Sequence, residues 1–199
     1  MQTIEAGFPN SVHNAQQCFR QILKALSEPG SQVTLEHHLG FAPLNAAASQ
    51  VIMSLCDQQT ALYLSPALAK NSEQPIEQAL HNLAFHNGLS SAPINQADFV
   101  VVDAQEELDL SQLKAGTDSS PEQSATVLIQ TNSLRTGPVF QLSGPGIKHS
   151  LDLQLGDLST SIVDYLLKPS HRFPLGLDFM FCHQQSLVAI SRTTKLELR

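Results

Sequence analysis

Late in this 199-residue chain, Arg192 is followed by two hydroxyl residues, Thr193 and Thr194. A guanidinium fork holds two oxygens of a phosphate, phosphonate or carboxylate at once, and hydroxyls beside it add donors. In an extended strand Arg192 and Thr194 project from one face and can share an anion. The same residues also suit strand positions next to a structural ion pair, at the surface or in a dimer interface. Arg20 lies one position off the apolar stripe of a predicted helix, so it reaches either inward to a carboxylate such as Asp178 or outward to solvent. His86 follows Phe85 at a predicted helix end, where a cationic ring suits the helix dipole and can hold carbonyls or do chemistry. Asp178, after Gly176, and Asp57, before Thr60, read as turn or ion-pair carboxylates.

The stretch Ser143-Gly144-Pro145-Gly146-Ile147 poses the question of a phosphate cradle. Such cradles need successive N–H groups aimed at the anion, usually where a helix begins. Pro145 has no N–H, Lys148 lacks the spacing of a phosphate loop, and the segment that follows alternates like a strand. A tight turn between strands is the expectation. Full catalytic sets are missing from the sequence: there is no nucleophile elbow and no carboxylate cluster at helical spacing. None of Lys24, Lys70, Lys114, Lys148, Lys168 and Lys195 stands in a setting that marks a Schiff base, so no pyridoxal cofactor is expected. The histidines, including the pair His37-His38, lack metal-ligand spacing, and no metal is expected.

These residues must be positioned by elements with clear periods. Val12, Ala15, Phe19, Ile22, Leu23 and Leu26 recur at helical spacing, with Asn10 or Ser11 as cap and Glu28-Pro29-Gly30 as stop. Further helices are predicted over Leu44 to Leu55, from Pro75 to Asn87-Gly88, and over Ser159 to Leu167. Strands are predicted at Val33 to Leu35, Ala61 to Leu64, Thr126 to Gln130, Val139 to Leu142 and Leu151 to Leu155. Phe99 to Val102 is a continuous apolar run, the mark of a strand covered on both faces. Ala104 to Ser124 reads as a short helix and a surface loop. A hairpin, Leu177 to Cys182 and Leu187 to Ile190, ends the fold, with Thr193 to Leu198 as a further strand. The sum is one α/β domain over residues 1–199, a mixed sheet with flanking helices.

Composition narrows the functions. A net charge of -7 without any basic run lacks the footprint of a nucleic-acid binder. No apolar stretch is long enough for a membrane span and the first residues carry no signal region, so the expected location is the cytoplasm. Cys18, Cys56 and Cys182 make no disulfide framework and read as reduced and buried. Charged residues amount to 15% of the chain, a sparse surface that fits partial cover by a partner.

Five stretches, taken in order, carry a resemblance: Phe19-Arg20 with Leu26-Ser27-Glu28-Pro29-Gly30; Phe85-His86; Leu142-Ser143-Gly144-Pro145-Gly146-Ile147; Phe173-Pro174-Leu175-Gly176-Leu177-Asp178; and Ile190-Ser191-Arg192-Thr193-Thr194. Together they resemble the PhnH family of the bacterial carbon–phosphorus lyase system, over almost the whole chain. Ser191 departs from the family pattern, which more commonly has proline there. The resemblance implies a fold similar to pyridoxal-phosphate-dependent transferases without the cofactor, a homodimer, and a core complex with the G, I and J subunits. In that system it further implies that a phosphonate displaces adenine from ATP, giving a ribose 1-phosphonate 5-triphosphate. A rival reading, an independent small-molecule transferase on a degraded pyridoxal fold, stays open at this point.

Overall fold

The computed structural model describes residues 3–37 and 39–199; His38, predicted to end a strand, lies outside the described residues. Helix α1 (Ser11–Ser27) starts where the Asn10 side chain accepts the His13 N–H at 3.0 Å and stops ahead of Pro29-Gly30. Helix α2 (Ala46–Leu55) is capped by Asn45, which accepts the Ala48 N–H at 2.9 Å. Helix α3 (Ile76–Asn87) follows Pro75 and ends on Gly88, whose φ of 71° is the left-handed cap geometry that glycine adopts without cost. Helix α4 (Thr160–Leu167) is capped by Ser159.

The described residues form ten strands, all but β3 carrying apolar positions: β1 (Gln32–Thr34), β2 (Ala61–Leu64), β3 (Ser90–Ser91), β4 (Phe99–Asp103), β5 (Thr126–Gln130), β6 (Val139–Ser143), β7 (Leu151–Gln154), β8 (Asp178–His183), β9 (Ser186–Ile190) and β10 (Lys195–Leu198). Seven form one mixed sheet in the order β1-β9-β8-β5-β4-β2-β3. From β3 to β8 neighbours run parallel, while β9 and β1 close the other edge antiparallel. The sequence analysis expects a single sheet, but β10, β6 and β7 make a separate three-stranded antiparallel sheet.

The period of two along the central strands builds two cores. Val101, Leu128, Met180, Cys182, Leu187 and Ala189 face the layer of α1, α2 and α3. Their neighbours Val100, Val102, Val127, Ile129, Phe179, Phe181, Val188 and Ile190 face α4 and the small sheet. Burying each of the Val, Leu, Ile, Phe and Met side chains among them contributes about 1.5–3 kcal/mol. Both faces being covered explains why β4 reads as an unbroken apolar run.

Two expectations need correction. Helix α1 buries Cys18, Ile22 and Ala25, whereas Val12, Phe19 and Leu23 of the predicted core stripe are exposed, at 70%, 48% and 52%. The apolar residues span a wider arc than one contact face, and the structure turns the Cys18 side inward. Residues 104–124 hold two single 3-10 turns, Leu110–Gln112 and Pro121–Gln123, in place of a short α-helix; Leu110 and Leu113 anchor the first in the second core.

Candidate functional site

The five stretches singled out in the sequence do not scatter over the molecule; four of them meet at one corner. Ser191 to Thr194 form a turn between β9 and β10, closed by the Thr194 N–H donating to the Ser191 carbonyl at 2.9 Å. That turn overturns the expected strand geometry, so Arg192 and Thr194 do not share a strand face. The strand begins only at Lys195, where the chain leaves the large sheet for the small one.

Within this turn Arg192 is anchored at both its backbone and its side chain. Its N–H donates to Asp178 Oδ1 at 2.8 Å, and Nε donates to both Asp178 oxygens at 3.3 and 3.2 Å. Nη2 bonds Asp178 Oδ2 and the Ser124 hydroxyl, and Nη1 donates to the carbonyls of Pro121 and Pro174 at 2.9 and 3.3 Å. The side chains of Arg192 and Asp178 are 15% and 24% exposed. Each guanidinium nitrogen therefore has a partner from this chain, and the fork grips the start of β8 and two loops. Nothing in the sequence marked Pro121, Pro174 and Ser124 as partners, because two offer only backbone oxygens and the third is an ordinary loop serine.

The hydroxyls of the turn bond one another. Ser191 Oγ lies 2.9 Å from Thr193 Oγ1 and 3.1 Å from Thr194 Oγ1, and Thr194 is buried. Beside them, Ser143 to Ile147 is the tight turn that the sequence predicts between β6 and β7, closed by the Ile147 N–H on the Gly144 carbonyl at 3.1 Å. Its glycines are required: a Cβ on Gly144 (φ 136°) would sit 2.9 Å from the Thr193 carbonyl oxygen, and one on Gly146 (φ 83°) 2.5 Å from that of Ser27. The stop of α1, the glycine turn, the Phe173 to Asp178 segment and the Arg192 turn thus lock together. Behind Arg192, Tyr165 and His171 share a hydrogen bond of 3.2 Å, and burial pushes the Tyr165 phenol up from its usual range.

Arg20 and His86 stand apart from this corner. Arg20 is exposed on α1 and lines a cleft of about 190 Å³ with Gln17, Glu36 and His37; Asp178, one of its two expected destinations, is taken by Arg192. His86 holds a carbonyl as expected, but that of Glu5 rather than of its own helix, with Nε2 at 2.8 Å. Its ring stacks on Phe41 at 5.7 Å between centroids and lies against Gly7, so it fastens the N-terminal segment to α3. Asp57 caps its own turn, accepting the Gln59 N–H at 2.9 Å. Among the described residues no group of three or more His, Cys, Asp or Glu side chains is placed to hold a metal ion, and no helix is long and apolar enough to cross a membrane.

What the corner offers to other molecules is surface. Phe173 is 66% exposed above it, and Pro145, Leu166, Leu167, Pro169 and Thr194 line a groove of about 630 Å³ beside it. The outer stripe of α1 is a second apolar surface.

Comparison with known proteins gives the chain a family. Residues 6–197 match the family described as bacterial phosphonate metabolism protein (PhnH). The chain is 29% identical over 199 residues to the alpha-D-ribose 1-methylphosphonate 5-triphosphate synthase subunit PhnH of Rhizobium meliloti (strain 1021), covering 98% of this chain and 96% of that one. It is 30% identical over 184 residues to the putative C-P lyase subunit protein HtxG of Stutzerimonas stutzeri, covering 92% and 86% respectively. With nearly its whole length matched, this chain belongs to the PhnH family of bacterial phosphonate-metabolism proteins.

Proposed function

We propose that this chain is a subunit of a carbon–phosphorus lyase core complex, required for making alpha-D-ribose 1-methylphosphonate 5-triphosphate from ATP and methylphosphonate. It works there as one domain over residues 1–199, as a homodimer in the cytoplasm, beside the G, I and J subunits. Its architecture derives from the pyridoxal-phosphate-dependent transferase type, adapted to assembly, and transferase chemistry belongs to a partner subunit. Family membership and the names of the two relatives support the role. The observation that carries the assembly reading is the outer stripe of α1, where Val12, Phe19 and Leu23 keep 48–70% of their surface in water although a buried stripe already anchors the helix.

Co-expression with the neighbouring subunits tests this. Phe19→Asp and Leu23→Asp leave the melting temperature of the free protein unchanged, since neither side chain supports a core. Both lower the yield of assembled complex and, with it, adenine release from ATP plus methylphosphonate. Adenine release by the purified chain alone, in proportion to its concentration, would overturn the assignment.

A further inference from the structure

The small sheet ends on an edge strand. In the order β10-β6-β7, β10 has β6 on one side and, among the described residues, no strand on the other. The Arg199 N–H donates to the Val139 carbonyl at 3.1 Å and fixes the phase of the ladder. With Lys195 opposite Ser143 and Glu197 opposite Gln141, residues 195, 197 and 199 bond inward to β6. The N–H and C=O groups of Leu196 and Leu198 therefore point to the free edge. A free edge of this kind is a template for another strand.

The side chains along that edge specify which strand. Lys195 and Glu197 are exposed on the outer face of the small sheet, while Leu196 between them is buried on the inner face. An antiparallel copy of the same segment, turned about an axis at Leu196, sets Lys195 opposite Glu197 of the partner subunit and Glu197 opposite Lys195 of the partner subunit. Both are opposite-charge cross-strand pairs, the favourable kind. The backbone phase agrees, because an axis at Leu196 uses the outward-facing groups of Leu196 and Leu198; at the outer pair the Leu198 N–H donates to the carbonyl of Thr194 of the partner subunit, since the Thr194 N–H is held by Ser191 within the turn. An axis at Glu197 would set two carboxylates against each other. The turn to Thr194 brings the apolar groove beside Phe173 alongside the same edge. Leu198, 52% exposed, comes opposite Thr194 of the partner subunit, so each copy places a leucine at the other's groove.

We infer that two copies of this chain join edge to edge through β10, pairing antiparallel about Leu196, with the exposed Leu198 of each seated in the other's groove beside Phe173. The inference rests on the homodimer reading above and names its surface. The small sheets then run together as one six-stranded sheet with two-fold symmetry, and the interface is self-complementary, as such symmetry demands.

Charge reversal and cross-linking test it on the full-length protein by sedimentation and non-reducing electrophoresis. Lys195→Glu or Glu197→Lys alone puts like charges opposite each other twice per dimer and raises the dissociation constant about tenfold or more at low salt. The double variant Lys195→Glu/Glu197→Lys restores the opposite pairs and returns the constant to within a few-fold of wild type. The double variant Lys195→Cys/Glu197→Cys cross-links in mild oxidant, because a non-hydrogen-bonded antiparallel pair holds its Cα atoms within disulfide reach. Asp118→Cys, on an exposed loop, serves as the control that does not. Dimers that persist with unchanged constants and without cross-links would overturn the β10 surface and leave the homodimer reading intact. A chain that stays monomeric at all concentrations would overturn both, and cross-links that form only to a different subunit in the assembled complex would give the edge to that subunit.

Discussion

Replacing Arg192 by Lys keeps the charge and removes the fork. Lysine can keep one contact with Asp178, and the backbone N–H still donates to the same carboxylate. The bonds to the Ser124 hydroxyl and to the Pro121 and Pro174 carbonyls are lost. Each bond from a charged donor is worth about 1.5–3 kcal/mol where water is excluded. Water reaches part of this site, since the arginine side chain is 15% exposed, and it replaces some of that loss. The expected net cost is therefore about 2–3 kcal/mol, less than the sum of the three bonds. For a chain of this size that lowers the melting temperature by roughly 4–12 °C. Arg192→Ala also leaves Asp178 without its partner and costs more, about 3–5 kcal/mol. Urea unfolding of the free protein, beside complex yield and adenine release, reads the effect. If Arg192→Lys left free stability within about 0.5 kcal/mol of wild type while activity of the complex vanished, the guanidinium would be serving an outside anion and the clamp reasoning would be refuted.

Two further outcomes follow from the same corner and from the cores. Gly144→Ala and Gly146→Ala each force a non-glycine residue into positive φ against a carbonyl oxygen, and each should cost at least about 1–2 kcal/mol in urea titrations; a neutral result would mean that the turn can move away from Thr193 and Ser27. Burial raises the thiols of Cys18, Cys56 and Cys182 above their ordinary value of 9.0, Cys56 to about 12. The unfolded thiols ionise first as pH rises, so the folded state loses stability progressively between pH 9 and about 12 and gains none below 9. Melting temperatures across pH 7 to 10.5 check this, and rapid reaction of the native protein with a thiol reagent at pH 8 would contradict the burial.

The helices and most strands are legible because their signals are local. Asn10 caps, Gly88 stops, and Thr126–Gln130 stands out as a bounded apolar run that pairs as β5. What the sequence conceals is set by distant partners. The stripe of α1 looks like one face until the sheet chooses Cys18 and Ile22 over Phe19 and Leu23. Arg192 looks like an anion fork because its partners lie 71, 68, 18 and 14 residues away and two of them are proline carbonyls. The two residues of β3 pair with β2 without any hydrophobic signal, since both serines are exposed. The turn at Ser143 to Ile147 is legible from its Gly-Pro-Gly run and the alternating segment after it, but its contact with the stop of α1 is not.

The distances along the chain that feed the Arg192 clamp also set the order in which the molecule can be completed. One side chain closes loops reaching back to Ser124 and Pro121, and the glycine turn beside it rests on Ser27 and Pro29 near the opposite end. Each closure costs chain entropy before any bond repays it, so the corner forms late, after the parallel strands have brought its parts together. It then acts as a latch: until the turn of Ser191 to Thr194 closes, Asp178 lacks its guanidinium and the loops at Pro121 and Pro174 are not gripped, and closing it ties these parts into one cooperative corner. Assembly through β10 waits on the same step, because the strand emerges directly from the latch.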